Sequence, residues 1–209
     1  MLIDVELNKV TKSFGKDRGI YDINIEVERN TKTLLLGPNG AGKTTILYLI
    51  YGILRPDSGY IKILGREPNI EMRKNDVYML EELLIFIERA TVREFIDFVK
   101  SLRYFNDQLF DLIDTFNINT NLKVYQLSSG LRRLLKISLA LSSGAKVLLL
   151  DEPTSNLDID NSKKVFSLIQ QYDGTVIFAS HDPEAINAAE SIVHIRNGKL
   201  EYTEKRNKN

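Results

Sequence analysis

Cysteine is the clearest absence from this chain, since none of its 209 residues is a cysteine. Disulfide bonds, thiolate metal sites and thiol-based catalysis are therefore excluded. An excess of either charge is also absent, because 28 Lys and Arg residues balance 28 Asp and Glu residues. This balance gives no indication of the extended basic surface with which proteins bind nucleic acid or anionic membranes, so we expect no nucleic-acid partner.

Long apolar runs are missing as well. No stretch approaches the roughly 18 apolar residues that a membrane-spanning helix needs. The opening residues, MLIDVELNKV, lack the basic start and the continuous apolar stretch of a signal peptide. We therefore expect a cytoplasmic protein that forms a single domain over residues 1–209 and reaches a membrane only through a partner.

Residues 37–45 read GPNGAGKTT, which matches the pattern G-x-x-x-x-G-K-[ST]. The apolar run Thr33–Leu36 precedes this segment, and Thr45–Ile50 follows it with the length and apolarity of a packed helix. A glycine loop between a strand and a helix points its backbone N–H groups at phosphate oxygens, and the helix N-terminus adds its positive dipole. We call residues 37–45 the phosphate loop; its expected nucleotide-binding residues are Gly37, Pro38, Asn39, Gly40, Ala41, Gly42, Lys43, Thr44 and Thr45. Lys43 is expected to reach the β- and γ-phosphates, and the Thr44 hydroxyl to bind Mg²⁺.

A second nucleotide-site pattern, VLLLDE, occupies residues 147–152. Four apolar residues predict a buried strand whose end presents two adjacent carboxylates beside the phosphate loop. Asp151 is predicted to hold the Mg²⁺ shell through water, and Glu152 to orient and deprotonate an attacking water.

Hydrophobic periodicity places these motifs in an α/β fold. Residues 2–36 alternate as strands do and predict a small antiparallel sheet that leads into the phosphate loop. Helical spacing dominates from about residue 82 to 143, and strand patterns return near residues 147, 175 and 191 as apolar runs typical of strands covered on both faces. A solvated terminus is expected over residues 205–209.

Three further segments occur in a fixed order around the second motif. Residues 127–131 read LSSGL, the residues from Asp151 to Asp158 read DEPTSNLD, and Ala179–Asp182 read ASHD. Together with the phosphate loop, this set resembles the nucleotide-binding domain of ATP-binding cassette (ABC) proteins over essentially the whole chain. The resemblance implies an α/β RecA-like P-loop NTPase core over residues 1–81 and 144–209, with an N-terminal antiparallel β subdomain and an inserted α-helical subdomain over 82–143.

In that family two subunits associate head to tail and enclose two ATP molecules. The resemblance implies that Phe14 stacks on adenine. It also implies that Ser128, Ser129 and Gly130, within the signature segment 127–131, bind the ATP of the opposite subunit, with Ser128 and the Gly130 N–H at its γ-phosphate.

Two more site residues follow from the same resemblance. Asp158 is expected at the dimer interface, where it would link the two nucleotide sites. His181 is expected to contact the γ-phosphate and to position the attacking water together with Glu152. The cofactors implied are ATP and Mg²⁺.

Three positions depart from the family pattern. Glu81, or alternatively Glu82, stands where the family usually has a glutamine that touches Mg²⁺ and couples to the membrane partner. In the signature segment, Ser129 replaces the first glycine and Leu131 the usual glutamine. Hydrolysis is still expected, although these changes favour a slow reaction or one that differs between the two sites.

The resemblance implies an ATP-hydrolysing subunit that drives transmembrane permease subunits supplied as separate chains. The functional pair is either a homodimer or a heterodimer with a second ABC ATPase subunit. A groove near Glu81 and residues 82–105 would receive the permease, while Leu83–Phe86 either contribute to it or pack inside the helical subdomain. Two other readings stay open, a soluble ABC ATPase with an assembly or scaffold role and a nucleotide-gated module with impaired hydrolysis; a P-loop kinase is disfavoured because it has no use for DEPTSNLD.

Overall fold

Two β-sheets form the framework of the protein, whose computed structural model describes residues 2–16, 18–80 and 86–206. The strands in chain order are β1 (Ile3–Ser13), β2 (Gly19–Glu28), β3 (Lys32–Leu36), β4 (Ser58–Ile63), β5 (Val77–Leu80), β6 (Val147–Asp151), β7 (Thr175–Ala179), β8 (Ser191–Arg196) and β9 (Lys199–Lys205). The first sheet is antiparallel with the order β2-β1-β4. The second has the order β5-β6-β7-β3-β8-β9; its first five strands run parallel, and β9 pairs antiparallel with β8.

Helices connect and cover these sheets. They are α1 (Lys43–Tyr51), α2 (Ile70–Asn75), α3 (Val92–Leu102), α4 (Gln108–Thr115), α5 (Ser129–Leu141), α6 (Ile159–Gln171) and α7 (Glu184–Ala188), with a 3₁₀ turn at Val124–Gln126. Helix α3 begins at a capping box, because the Thr91 side chain accepts from the Glu94 N–H and the Glu94 carboxylate accepts from the Thr91 N–H. Within the described ranges, no helix has the length and apolarity required to cross a membrane.

Two apolar cores lie on opposite faces of the parallel sheet. Along β6, Leu148 and Leu150 join the core formed with α3 to α7, whereas Val147 and Leu149 join the core formed with α1 and the antiparallel sheet. Because successive strand side chains point to opposite faces, a strand buried on both faces must be apolar throughout. This explains the unbroken apolar runs, and it confirms the predicted α/β class and the predicted strands near residues 147, 175 and 191.

Two details of the sequence prediction are wrong. The run Leu34–Leu36 does not continue the antiparallel sheet; β3 lies between β7 and β8 in the parallel sheet, because its residues need apolar cover on both faces. The predicted solvated terminus over residues 205–209 is ordered at its start, because β9 extends to the exposed Lys205 and the Arg206 N–H donates to the Glu190 carbonyl at 2.8 Å. Residues 82–143 contain α3, α4 and α5, and the subdomain boundaries drawn there remain a prediction.

The short turn between β8 and β9 joins three parts of the fold. Its Gly198 N–H donates to the Ala41 carbonyl at 3.1 Å, and its carbonyl accepts from the Tyr21 N–H at 2.7 Å. An added Cβ at Gly198 would lie 2.1 Å from the Gly19 carbonyl oxygen, so only glycine fits. The turn therefore supports the phosphate loop from behind and ties it to β2.

Candidate active site

The phosphate loop leaves the end of β3 and leads directly into α1. Gly42 is the N-cap of α1 with φ of 107°, and a Cβ there would lie 2.5 Å from the Ile20 Cγ2 atom. At Gly37 a Cβ would lie 2.1 Å from the Ile195 carbonyl oxygen. The glycines thus let the loop pack against β2 and β8 while its backbone turns into the helix.

Lys43 is the first residue of α1 and lies largely buried. Its Nζ donates to the Gly37 carbonyl at 2.8 Å and to the Pro38 carbonyl at 3.2 Å. The ammonium is therefore held inside the loop, where it can add positive charge to a bound phosphate.

A cavity of about 410 Å³ opens between the phosphate loop and the end of β6. It brings together most of the residues that the sequence motifs predicted, along with two that they did not. Its wall is formed by Asn39, Gly40, Ala41, Gly42, Lys43, Thr44, Thr45, Arg133, Asp151, Glu152 and Ser155. Two motifs more than a hundred residues apart in sequence thus share one cavity.

Asp151 ends β6 with its carboxyl group partly buried in this wall. Burial raises the pKa of Asp151, and a hydrogen bond with the Thr44 side chain offsets part of this effect. The neighbouring carboxylate of Glu152 raises this pKa further, while the cations Arg133 and Lys43 lower it. A cation between Thr44 and Asp151 would therefore offset the electrostatic cost of burying this carboxylate.

The oxygens of Thr44 and Asp151 fit Mg²⁺, which prefers hard oxygen ligands. Within residues 2–16, 18–80 and 86–206, no cluster of three His, Asp or Glu side chains forms a protein-only metal cage. Magnesium commonly binds through one or two protein oxygens and completes its shell with substrate phosphates and water. The site has the donor set for that mode.

Glu152 follows Asp151 with its backbone in the left-handed region, at φ of 47°. Its N–H still donates at 2.9 Å to the carbonyl of Ala179, the last residue of β7. Its carboxylate Oε2 lies 2.9 Å from Nδ1 of His181, which follows the same strand. The structure thus pairs the predicted base with the predicted histidine just beyond the ends of β6 and β7.

The remaining predicted site residues lie apart from the cavity wall. Phe14 is 52% exposed just after β1. Ser128 caps α5 by accepting from the Leu131 N–H at 3.2 Å, Ser129 is the first residue of that helix, and Gly130 faces the Asn156 carbonyl. None of these four residues lines the cavity formed by the described residues.

Asp158 caps α6 by accepting from the Asn161 N–H at 2.9 Å. That backbone hydrogen bond, with a second one from the Asn161 side chain, lowers the pKa of Asp158. Asp158 also lies outside the cavity wall in the described part of the chain. The predicted metal ligand Glu81, and its alternative Glu82, fall outside the described residues.

Sequence reasoning missed two residues of the cavity wall, Arg133 and Ser155. The Arg133 guanidinium donates from Nη2 to the Asp151 carbonyl at 2.8 Å and to the Glu152 carbonyl. A signal was present, since Arg132 and Arg133 interrupt the apolar pattern of the helix after LSSGL. Helical spacing alone does not tell which of two adjacent arginines turns inward.

Comparison with known proteins agrees with this geometry. A family model described as ABC transporter matches residues 20–155. The sulfate/thiosulfate import ATP-binding protein CysA of Synechococcus elongatus is 32% identical over 95% of this chain and 62% of its own length. The human phospholipid-transporting ATPase ABCA3 is 33% identical over 84% of this chain and 11% of its own length. The chain therefore spans less than two thirds of these curated relatives.

Solved structures show the same fold. The ATP-binding cassette MJ0796, in a dimeric post-hydrolysis state bound to ADP and Pi, matches with a TM-score of 0.84 and 23% identity over 96% of this chain and 98% of that one. A bacterial Atm1-family ABC exporter with ATP bound matches with a TM-score of 0.83 and 20% identity over 96% of this chain and 38% of that one. With the family model matching more than half of its residues, the chain belongs to the ABC transporter family and has the ABC ATPase fold.

Proposed function

We propose that this chain binds and hydrolyses ATP as the nucleotide-binding subunit of an ABC transporter. The observation that supports this most directly is the single cavity formed by the phosphate loop, Asp151 and Glu152. Such a cavity offers phosphate-binding N–H groups, a lysine ammonium, oxygens for a metal ion and a carboxylate base within one space. Membership of the family and relatives named as ATP-binding proteins support the same conclusion.

Each residue of the cavity has a distinct part in hydrolysis. The phosphate loop binds the phosphates through its N–H groups and Lys43. Thr44 and Asp151 would hold Mg²⁺, which neutralises charge on the phosphates when it is bound. Glu152 accepts a proton from the attacking water, and His181, 2.9 Å from its carboxylate, orients that carboxylate and the water.

The predicted site residues outside the cavity bind the ATP of the opposite subunit, lie at the dimer interface or stack on adenine. Ser128, Ser129 and Gly130 bind the ATP of the opposite subunit in a head-to-tail pair, while Asp158 lies at the interface and Phe14 stacks on adenine. The exposure of Phe14, and a cavity wall that does not include Ser128, Ser129 or Gly130 among the described residues, support this assignment. ATP binding then draws two subunits together, and hydrolysis lets them separate.

The partner in transport is a transmembrane permease supplied by other chains. Relatives named as import ATP-binding proteins and as a phospholipid-transporting ATPase support this role. The chain would then sit at the cytoplasmic face of the membrane, bound to the permease. The predicted docking position remains a groove near Glu81 and residues 82–105.

A light-scattering measurement on Glu152→Gln tests this function. The amide cannot accept the proton, so we expect the variant to retain ATP and change from monomer to dimer only when ATP and Mg²⁺ are present. In parallel, the unchanged protein should release phosphate from ATP, and Lys43→Ala should not. Absence of ATP binding to the unchanged protein would contradict the proposal.

A further inference from the structure

Arg133 connects the helix that begins in the signature segment to the strand end that holds the base. It lies on α5, only 7% exposed, and lines the same cavity as Lys43 and Glu152. Its Nη2 donates to two consecutive backbone carbonyls, those of Asp151 and Glu152. A buried guanidinium that binds backbone carbonyls fixes the direction of that backbone as well as adding charge.

The backbone of Glu152 needs such support. At φ of 47° this non-glycine residue occupies the left-handed region, where the Cβ of an L-residue lies too close to the following carbonyl oxygen. Neighbouring groups hold Glu152 there, because its N–H donates to Ala179 and its carbonyl accepts from Arg133 and from the Ser155 N–H at 3.1 Å. The left-handed turn directs the Glu152 carboxylate out of the strand and towards His181.

The start of α5 contacts the same loop a second time. An added Cβ at Gly130 would lie 3.2 Å from the Asn156 carbonyl oxygen, so the helix and the loop after Glu152 are in close contact. Ser128, which caps α5, precedes Arg133 by little more than one turn of helix. The cap of α5 and the backbone of Glu152 are thus joined through one short rigid segment.

We infer that Arg133 is a positioning residue that sets the orientation of Glu152 and transmits the state of the α5 cap to it. The inference rests on the proposed ATP hydrolysis and names a residue that acts on the base through its backbone. When the start of α5 binds a nucleotide of the opposite subunit, Arg133 fixes the Glu152 carbonyl and the base takes its reactive orientation. The two nucleotide sites of a dimer then depend on each other through the pair Arg133–Glu152.

An alternative reading places the guanidinium directly on a phosphate, since Arg133 also lines the cavity. The two roles predict different kinetics. Loss of a phosphate ligand raises the KM for ATP, whereas misplacement of the base lowers kcat and leaves nucleotide affinity unchanged. A displacement of about 1 Å at a reacting group can lower the rate by about 100-fold.

Arg133→Lys separates these roles, because lysine keeps the positive charge but loses the guanidinium fork. We expect kcat to fall by about 10- to 100-fold, with the Kd for ATP within about twofold of the unchanged protein. Arg132→Lys is the matched control, since this neighbour on α5 pairs with Glu88 and lies outside the cavity wall in the described residues. Its kcat should change by less than about threefold.

A double-mutant cycle with Glu152→Gln completes the test. If Arg133 acts through Glu152, Arg133→Lys should have no further effect on the residual hydrolysis of Glu152→Gln. Additive losses, or a raised Kd for ATP with an unchanged kcat, would overturn the inference while leaving ATP hydrolysis by the unchanged protein intact. An unchanged protein without hydrolysis would instead refute the proposed function.

Circular dichroism and thermal melts of Arg133→Lys and Arg133→Gln accompany the kinetics. If both variants fail to fold, Arg133 supports the structure as a whole and the inference is wrong. A folded Arg133→Gln that loses at least as much kcat as Arg133→Lys supports it, because glutamine lacks both the charge and the fork.

Discussion

At the scale of single residues, the pair Glu152–His181 gives the sharpest expectation. Replacing Glu152 by Gln should lower kcat by about 100-fold or more, because a general base contributes about 10²- to 10⁴-fold. The KM for ATP should change little, since the proposed partner of Glu152 is the attacking water rather than a phosphate. Steady-state phosphate release measures both constants, and an unchanged kcat would remove Glu152 from the role of base.

The ionised Asp151 carboxylate is expected to lower the stability of the folded protein when no nucleotide is bound. The pKa of Asp151 is raised in the folded protein. Its contribution to the free energy of unfolding is therefore fully present below the pKa of the unfolded state and is lost as the pH rises through the pKa of the folded state. Asp151→Asn should therefore raise the melting temperature at neutral pH without nucleotide, by no more than about 4 °C, or ~1 kcal/mol for a protein of this size.

The same substitution should abolish most of the stabilisation that Mg²⁺ and ATP together give the unchanged protein, because the Asp151 carboxylate is a proposed ligand of the Mg²⁺ shell. Thermal melts with and without Mg²⁺–ATP measure both effects. Asp97→Asn, at an exposed position of α3, is the control and should leave both values unchanged. A lower melting temperature for Asp151→Asn without nucleotide would contradict the predicted sign.

Residue-level chemistry was largely predictable from the sequence where a motif follows a buried strand. Lys43, Thr44, Asp151 and Glu152 meet in one cavity because parallel strands deliver their carboxyl ends to one edge of a sheet. Arg133 was not predictable in this way. Adjacent helical residues differ by about 100° in direction, so only the packing of α5 decides that Arg133 turns inward while Arg132 pairs with Glu88.

At the scale of secondary-structure elements, the phosphate loop is shaped by its contacts with β2 and β8. Gly42→Ala should destabilise the protein more than Gly40→Ala, although both glycines have positive φ, at 107° and 79°. At Gly42 the new Cβ would meet Ile20 at 2.5 Å, whereas at Gly40 it would meet no described atom within 4 Å. We expect an extra loss of about 1–3 kcal/mol for Gly42→Ala from overpacking.

Urea unfolding of the two alanine variants without nucleotide gives this difference directly. Gly40→Ala serves as the matched control for the backbone cost of a side chain at positive φ. Equal losses for the two variants would show that the contact with Ile20 adds nothing to the requirement for glycine.

The sequence predicted some strands of the parallel sheet but not the strand at its antiparallel edge. The strands β6, β7 and β8 could be predicted from their apolar runs, because both faces of these strands are covered. Strand β9 is largely polar and exposed, and backbone pairing with β8 rather than side-chain burial forms it. Its sequence, KLEYTEK, has only Leu200 and Tyr202 as apolar residues, which is too few to predict a strand by the hydrophobic pattern.

At the scale of the whole molecule, ATP bound to one subunit is expected to contact the start of α5 in the other subunit. Ser128, at that helix start, lies outside the cavity wall of its own chain in the described residues. Ser128→Arg in the Glu152→Gln background should abolish ATP-dependent dimers, because a large cation would replace a small cap at the proposed contact with the opposite ATP. The Kd for ATP of the monomer should stay within about twofold, since Ser128 lies outside the cavity wall in the described residues.

Light scattering reports the dimer and calorimetry reports the affinity in this experiment. Ser101→Arg, at an exposed position of α3, is the control and should dimerise as the parent does. Dimers that persist in Ser128→Arg would show that the start of α5 does not face the second nucleotide.

The turn at Gly198 has a further consequence for the order of events during synthesis. Ala41 and Tyr21 form their contacts with Gly198 only after the more than 150 residues between Ala41 and Gly198 have been made. A ribosome-bound chain that already contains the complete phosphate loop would therefore still lack the turn behind it, and the loop would stay loosely held. Nucleotide capture would then come late in folding, so that a nascent chain could not engage ATP before β8 and β9 had paired.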